Sequence, residues 1–133
     1  MDSNVFIYSF ERNPTYVTLA EEVFGWVEQP GHSAVTSTVT MTEFLARPYR
    51  TLREVQVGDI YTLLLTYPNL EWIAPDLKIA DTAARLRAIH KLKTPDALQA
   101  ATAIRSGATL LVTNDTSFER IPGLETLILD RLL

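Results

Sequence analysis

The chain of 133 residues is 47% hydrophobic and 21% charged, with no low-complexity tract or internal repeat. That suits a single domain over residues 1–133 and excludes a disordered chain. It has no cysteine and a net charge of −4, which excludes disulfides and thiolate chemistry and argues against holding nucleic acid by bulk electrostatics.

The chain opens MDSNVFIYSF, placing Asp2 and Asn4 directly before an apolar stretch from Val5 to Phe10. Asn13-Pro14 then reads as a helix start, because proline at the first turn has a preset φ and loses no hydrogen bond there. Ala20, Val23, Phe24 and Val27 share one face of that helix, and Pro30-Gly31 stops it. SAVTSTVT is short and β-branched, hence a strand. Met41 to Ala46 turns helical, and a further amphipathic helix runs through Val57, Ile60, Tyr61 and Leu64 to the neighbourhood of Tyr67-Pro68.

LEWI is strand-like, and Asp76 is placed to cap the helix LKIADTAARLRAIH. Thr94-Pro95 starts the helix DALQAATAIRS, which Gly107 ends; TLLV is a buried strand and LETLIL the last one. Strands alternating with helices predict an α/β fold with a parallel sheet covered on both faces.

In such sheets chemistry gathers at the carboxyl ends of the strands, where helix N-termini also point. Asp2, Glu43, Asp96 and Asp115 fall there. Each has an ordinary structural use: Asp2 in terminal solvation, Glu43 with Thr40 in a capping box, Asp96 beside a helix dipole, Asp115 in an Asx turn or N-cap. Converging, they would repel one another unless some were protonated or a cation sat among them. Besides these acids only His32 and His90 could ligate; His32 reads as loop and His90 as a partner of its helix C-terminus. The natural guest is a hard divalent ion, Mg²⁺ or Mn²⁺, bound by a few carboxylates and a substrate phosphate. That is phosphodiester chemistry.

The segments DSNVFIY, TMTEFLA, TPDALQAATAIRSGATLLVTND and the phenylalanine of NDTSF resemble a PIN-domain ribonuclease, most of all the VapC-type toxins of toxin–antitoxin pairs. The resemblance implies a three-layer α/β/α domain with a central, mostly parallel sheet. It also implies an acidic quartet of Asp2, Glu43, Asp96 and Asp115, with Asn4, Thr113 and Asn114 as polar supports. Mg²⁺- or Mn²⁺-dependent endonucleolytic cleavage of RNA, homodimer formation and silencing by an antitoxin protein follow from it as expectations. Two positions depart from the pattern. Only Met1 stands before Asp2 where relatives have an apolar central strand, so the first strand is expected to be truncated, missing or reduced to its exit, through an upstream start or a shortened chain. Asp2 is then expected to be the least securely held ligand, since termini fray. Ser117 replaces a further acid, which puts a second metal position in question.

Two acid-free basic runs flank the quartet, one with Arg47, Arg50 and Arg53, the other with Arg85, Arg87, Lys91 and Lys93. In this context they are expected to bind the RNA backbone rather than merely face solvent. Tyr49, Tyr67 and Trp72 are candidates to stack on unpaired bases, although core packing is the commoner use. The apolar faces Ala20 to Val27 and Val57 to Leu64 suit dimerisation or antitoxin docking, and core packing equally well. Two other functions stay open. One is a Mg-dependent small-molecule phosphohydrolase, although Asn4 stands where that chemistry wants a second acid; the other is a non-catalytic PIN-like protein-binding module. With neither a basic leader nor an apolar run of roughly 18 residues, the protein is read as cytoplasmic, without membrane contact.

Overall fold

The computed structural model describes residues 1–133. Helix α1 is Ser3–Phe10, α2 Val17–Glu28, α3 Val39–Thr51, α4 Glu54–Leu65, α5 Leu77–His90 and α6 Thr94–Arg105. The strands are β1 Ala34–Ser37, β2 Leu70–Ile73, β3 Leu110–Thr113 and β4 Glu125–Ile128, and 3-10 turns occupy Thr116–Arg120 and Leu129–Leu132.

All strand pairing is parallel, β1 with β2 and β3 with β4. The pairs are separate two-stranded sheets, not one continuous sheet. Between them lies the start of the chain. The Met1 amine donates to Val35 O in β1 at 2.8 Å, and the Asp2 N–H donates to Val112 O in β3 at 3.0 Å. Two residues thus bridge the inner edges of both half-sheets.

Alternation along the strands builds the layers, because successive side chains leave opposite faces. Leu111 and Ile73 pack into a cluster with Ala83 and Leu86 of α5 and Ala97 and Ala101 of α6. Val112, Trp72 and Leu70 point the other way, to Val5 and Phe6 of α1, Ala20 and Val27 of α2, and Phe44 of α3. Helices therefore cover both faces of the strands.

Several element boundaries differ from the sequence expectation. Asn13-Pro14 forms a turn instead of a first helical turn: Asn13 Oδ1 accepts from Thr15 N and Tyr16 N, and α2 begins at Val17. SAVTSTVT contributes only Ala34–Ser37 to the sheet, because Val39 and Thr40 already belong to α3. That helix continues through Pro48 to Thr51, well beyond Ala46. Asp76 caps α5 as expected, accepting from Ile79 N at 2.8 Å. Gly107 stands one residue past the C-cap of α6 with φ 76°, a conformation that glycine adopts without penalty.

Candidate metal centre

Asp2 is the deepest of the acids. Its residue is 4% exposed, and its carboxylate caps α1 by accepting from Ser3 N at 2.8 Å. The other oxygen accepts from Thr113 Oγ1 at 2.6 Å and from Asn4 Nδ2 at 3.2 Å. The expectation of a frayed, weakly held Asp2 is therefore overturned: its backbone is tied to β3 and its side chain to three donors. Burial raises its pKa; the bonds from Thr113 and Ser3 oppose the rise, and Asp115 adds to it.

Glu43 comes from α3 and meets this group through Ser3, whose hydroxyl donates to Glu43 Oε1 at 3.1 Å. Partial burial raises its pKa, the Ser3 bond opposes that, and Asp2 raises it further. The capping box expected of Thr40 and Glu43 does not form. Thr38 is the N-cap and makes no side-chain cap bond, while Thr40 is fully buried.

Asp96 lies in the first turn of α6. A helix dipole should favour its ionised form, yet its pKa is pushed up to about 6, by partial burial first and then by Asp2, Asp115 and Glu43, with Lys93 opposing. The direction fits acids from four distant segments that disfavour one another's charge. Asp115 caps the 3-10 turn after β3, accepting from Ser117 N at 2.9 Å, which is the cap use expected of it. Its own N–H donates to Thr113 Oγ1 at 3.0 Å, so the Thr113 hydroxyl joins Asp115 to Asp2.

The donor set is hard oxygen throughout, which suits Mg²⁺ or Mn²⁺. Two buried side-chain oxygens lack a hydrogen-bond partner, Asn4 Oδ1 and Ser117 Oγ, and each belongs to a residue that touches this group. Buried acceptors of that kind call for a water or a cation. No three carboxylate or imidazole groups are drawn together into a ready cage. An ion here would therefore take only one or two protein carboxylates directly and keep several waters. The residues present fit such an ion.

Of the polar supports, Asn4 and Thr113 lie in the group and Asn114 does not. Asn114 Nδ2 donates to the Tyr8 hydroxyl at 3.2 Å and its Oδ1 accepts from Asp130 N at 2.7 Å, so it clips the C-terminal turn to α1. Ser3 was missed by sequence reasoning; its signal was a small hydroxyl residue directly after Asp2 at a helix start. Of the basic residues, Lys93 alone bears on the electrostatics of an acid here. Arg47 pairs with Glu11 at 2.9 Å and Arg85 with Asp81 at 3.1 Å, both at the surface. Arg50, Arg87 and Lys91 are exposed.

Two of the candidate stacking aromatics are engaged elsewhere. Trp72 Nε1 donates to Leu64 O and its ring lies 5.6 Å from Phe6. The Tyr67 hydroxyl meets Glu28. Tyr49 is 62% exposed. His32 stacks on Trp26 at 4.1 Å in the loop after α2, and His90 closes α5 as expected.

The profile of the PIN domain family matches residues 1–124. Among solved structures the chain is similar to VapBC2 from Rickettsia felis bound to a DNA fragment from its promoter. The TM-score is 0.69 at 22% identity, covering 95% of this chain and 94% of that one. It is also similar to a toxin–antitoxin complex from Klebsiella pneumoniae, with a TM-score of 0.68, 26% identity and 92% of each chain covered. No curated protein matches the chain. No helix is long and apolar enough to cross a membrane.

Proposed function

We propose, from the premise that this chain belongs to the PIN domain family, that residues 1–133 act as one unit in the cytoplasm as a metal-dependent endoribonuclease. In this reading it is a VapC-type toxin of a type II toxin–antitoxin pair, a homodimer silenced by a cognate antitoxin protein. The observation that carries the proposal is the bonded linkage of the acids: the Thr113 hydroxyl joins Asp2 to Asp115, and Ser3 joins Asp2 to Glu43, with the Asp96 carboxyl pushed up by all three. Carboxylates that disfavour one another's charge gain most from a divalent ion, and nuclease chemistry supplies a use for one.

When bound, Mg²⁺ or Mn²⁺ would lower the pKa of a water and carry charge on the phosphate. The protein supplies the geometry. Asp2, locked by Thr113, Asn4 and Ser3, would hold the ion, with Asp96 and Asp115 as further ligands directly or through water. Glu43, steadied by Ser3, would bind the ion or orient the attacking water. Asn4 Oδ1 offers an acceptor for a bound water. Lys93, Arg87 and Lys91 border the first turn of α6 in sequence, with Arg47, Arg50 and Arg85 further out, and together they guide the RNA backbone toward an acidic centre that repels it.

A groove of about 330 Å³, lined by Phe10, Phe24, Ile60 and Leu63 together with Glu21 and Glu28, suits an amphipathic helix of the antitoxin. The solved complexes from R. felis and K. pneumoniae support the pairing with an antitoxin.

The test is cleavage of a single-stranded RNA in Mn²⁺ or Mg²⁺, with EDTA and with Glu43→Gln. Glutamine keeps an acceptor for Ser3 but brings no charge. Metal-dependent cleavage that EDTA stops and Glu43→Gln loses, at unchanged thermal stability, is the expected result. The competing reading, a non-catalytic binding module, is favoured by the lack of a ready three-ligand cage. Calorimetric silence toward millimolar Mn²⁺ together with intact RNA would decide for the module.

A further inference from the structure

We propose that Gln99, Thr40 and Thr36 form a directional hydrogen-bond chain that fixes the spacing of three acid-bearing segments, making Thr40 and Gln99 positioning residues of the acidic centre. The inference rests on the quartet being the functional site. Met1 O can only accept, so the Thr36 hydroxyl donates to it, at 2.8 Å. With its hydrogen spent, Thr36 accepts from the Thr40 hydroxyl at 2.7 Å. Thr40 in turn accepts from Gln99 Nε2 at 2.5 Å. The direction of each of the three bonds is thereby assigned.

The sequence offsets give the chain its consequence. Gln99 lies three residues after Asp96 on α6, Thr40 three before Glu43 on α3, and Met1 directly before Asp2. Residues three apart on a helix share a face, so a shift of any link is carried to a carboxylate. The links are stiff because all are buried: Thr36 is 1%, Thr40 0% and Gln99 2% exposed, and a broken link would leave polar groups desolvated and unpaired. Gln99 also stands among Ala97, Ala100, Ala101 and Ala103, all buried on α6. An apolar side chain would fill that position without the need for a partner. The fourth acid, Asp115, is joined to Asp2 separately through Thr113.

The test compares Thr40→Val, which keeps shape and removes the hydroxyl, with Thr40→Ser, which restores it, and with Gln99→Met. Metal-free crystal structures give the carboxylate positions, Mn²⁺ titration gives affinity, and RNA cleavage gives kcat and KM. Thr40→Val is expected to displace the Glu43 or Asp96 carboxylate relative to Asp2, to weaken Mn²⁺ binding about tenfold or more, and to lower kcat more than it raises KM. Thr40→Ser should match the parent in all three. Parental carboxylate positions and parental Mn²⁺ affinity in a folded Thr40→Val protein would overturn the inference. So would unfolding of both Thr40→Val and Gln99→Met, since the chain would then serve folding in general. If the parent itself bound no Mn²⁺, the nuclease assignment would fall, while displaced carboxylates in Thr40→Val would still uphold the positioning role.

Discussion

Replacing Asp96 with Asn should make the metal-free protein more stable at neutral and higher pH while removing cleavage. Partial burial and three neighbouring acids move this carboxyl from 3.8 to about 6. That displacement corresponds to at most about 3 kcal/mol against the ionised form. Asp96 is half-buried, and solvent screening and the lost attraction of the helix dipole reduce the gain from Asn to about 1 kcal/mol. The sign follows from linkage. The folded state binds this proton more tightly than the unfolded state, so the favourable contribution is complete below 3.8 and is lost as pH rises through about 6. Urea unfolding in EDTA should show Asp96→Asn ahead of the parent by about 1 kcal/mol near pH 8, or about 3 °C in Tm, and level with it at about pH 4. A variant no more stable than the parent at about pH 8 would show that the acids do not press on one another, and the case for a shared site would fail.

Other outcomes follow from the same geometry. Adding Mn²⁺ to the metal-free parent should raise its stability by about 2.7 kcal/mol at a hundredfold excess over Kd, with EDTA reversing the gain; equal melting with and without Mn²⁺ would contradict a metal site. Asn114→Ala should cost about 1–2 kcal/mol by releasing the Tyr8 and Asp130 bonds yet leave kcat at the parental value, and a selective loss of kcat would return Asn114 to the site. Lys93→Gln combined with Arg87→Gln should weaken RNA binding evenly across sequences and lower the salt slope by about 1 to 2. An unchanged slope in a filter-binding titration would place the backbone contacts elsewhere.

Separate half-sheets place unusual weight on the first two residues. Met1 bonds to Val35 of β1 and Asp2 to Val112 of β3. Asp2 also caps α1 and is the deepest of the acids. Asp2 is a helix cap, a carboxylate held by Thr113, and the point where the two half-sheets meet.

The sequence by itself determined the alternation of helices and strands and the positions of Asp76, Pro95 and Gly107 as start and stop signals. These depend on periodicity and on capping chemistry within a few residues. It also pointed to all four acids, through their placement after strands and through resemblance to a family. Only the tertiary structure decided that Thr40 turns inward to Thr36 and Gln99 instead of capping α3. The same is true of Ser3, which steadies Glu43, and of Asn114, which faces Tyr8 and Asp130 and leaves the acids to Thr113. The physical reason is that a hydroxyl or amide chooses among partners by distance and desolvation. When those partners lie 59 residues away, as Thr40 and Gln99 do, no local pattern records the choice.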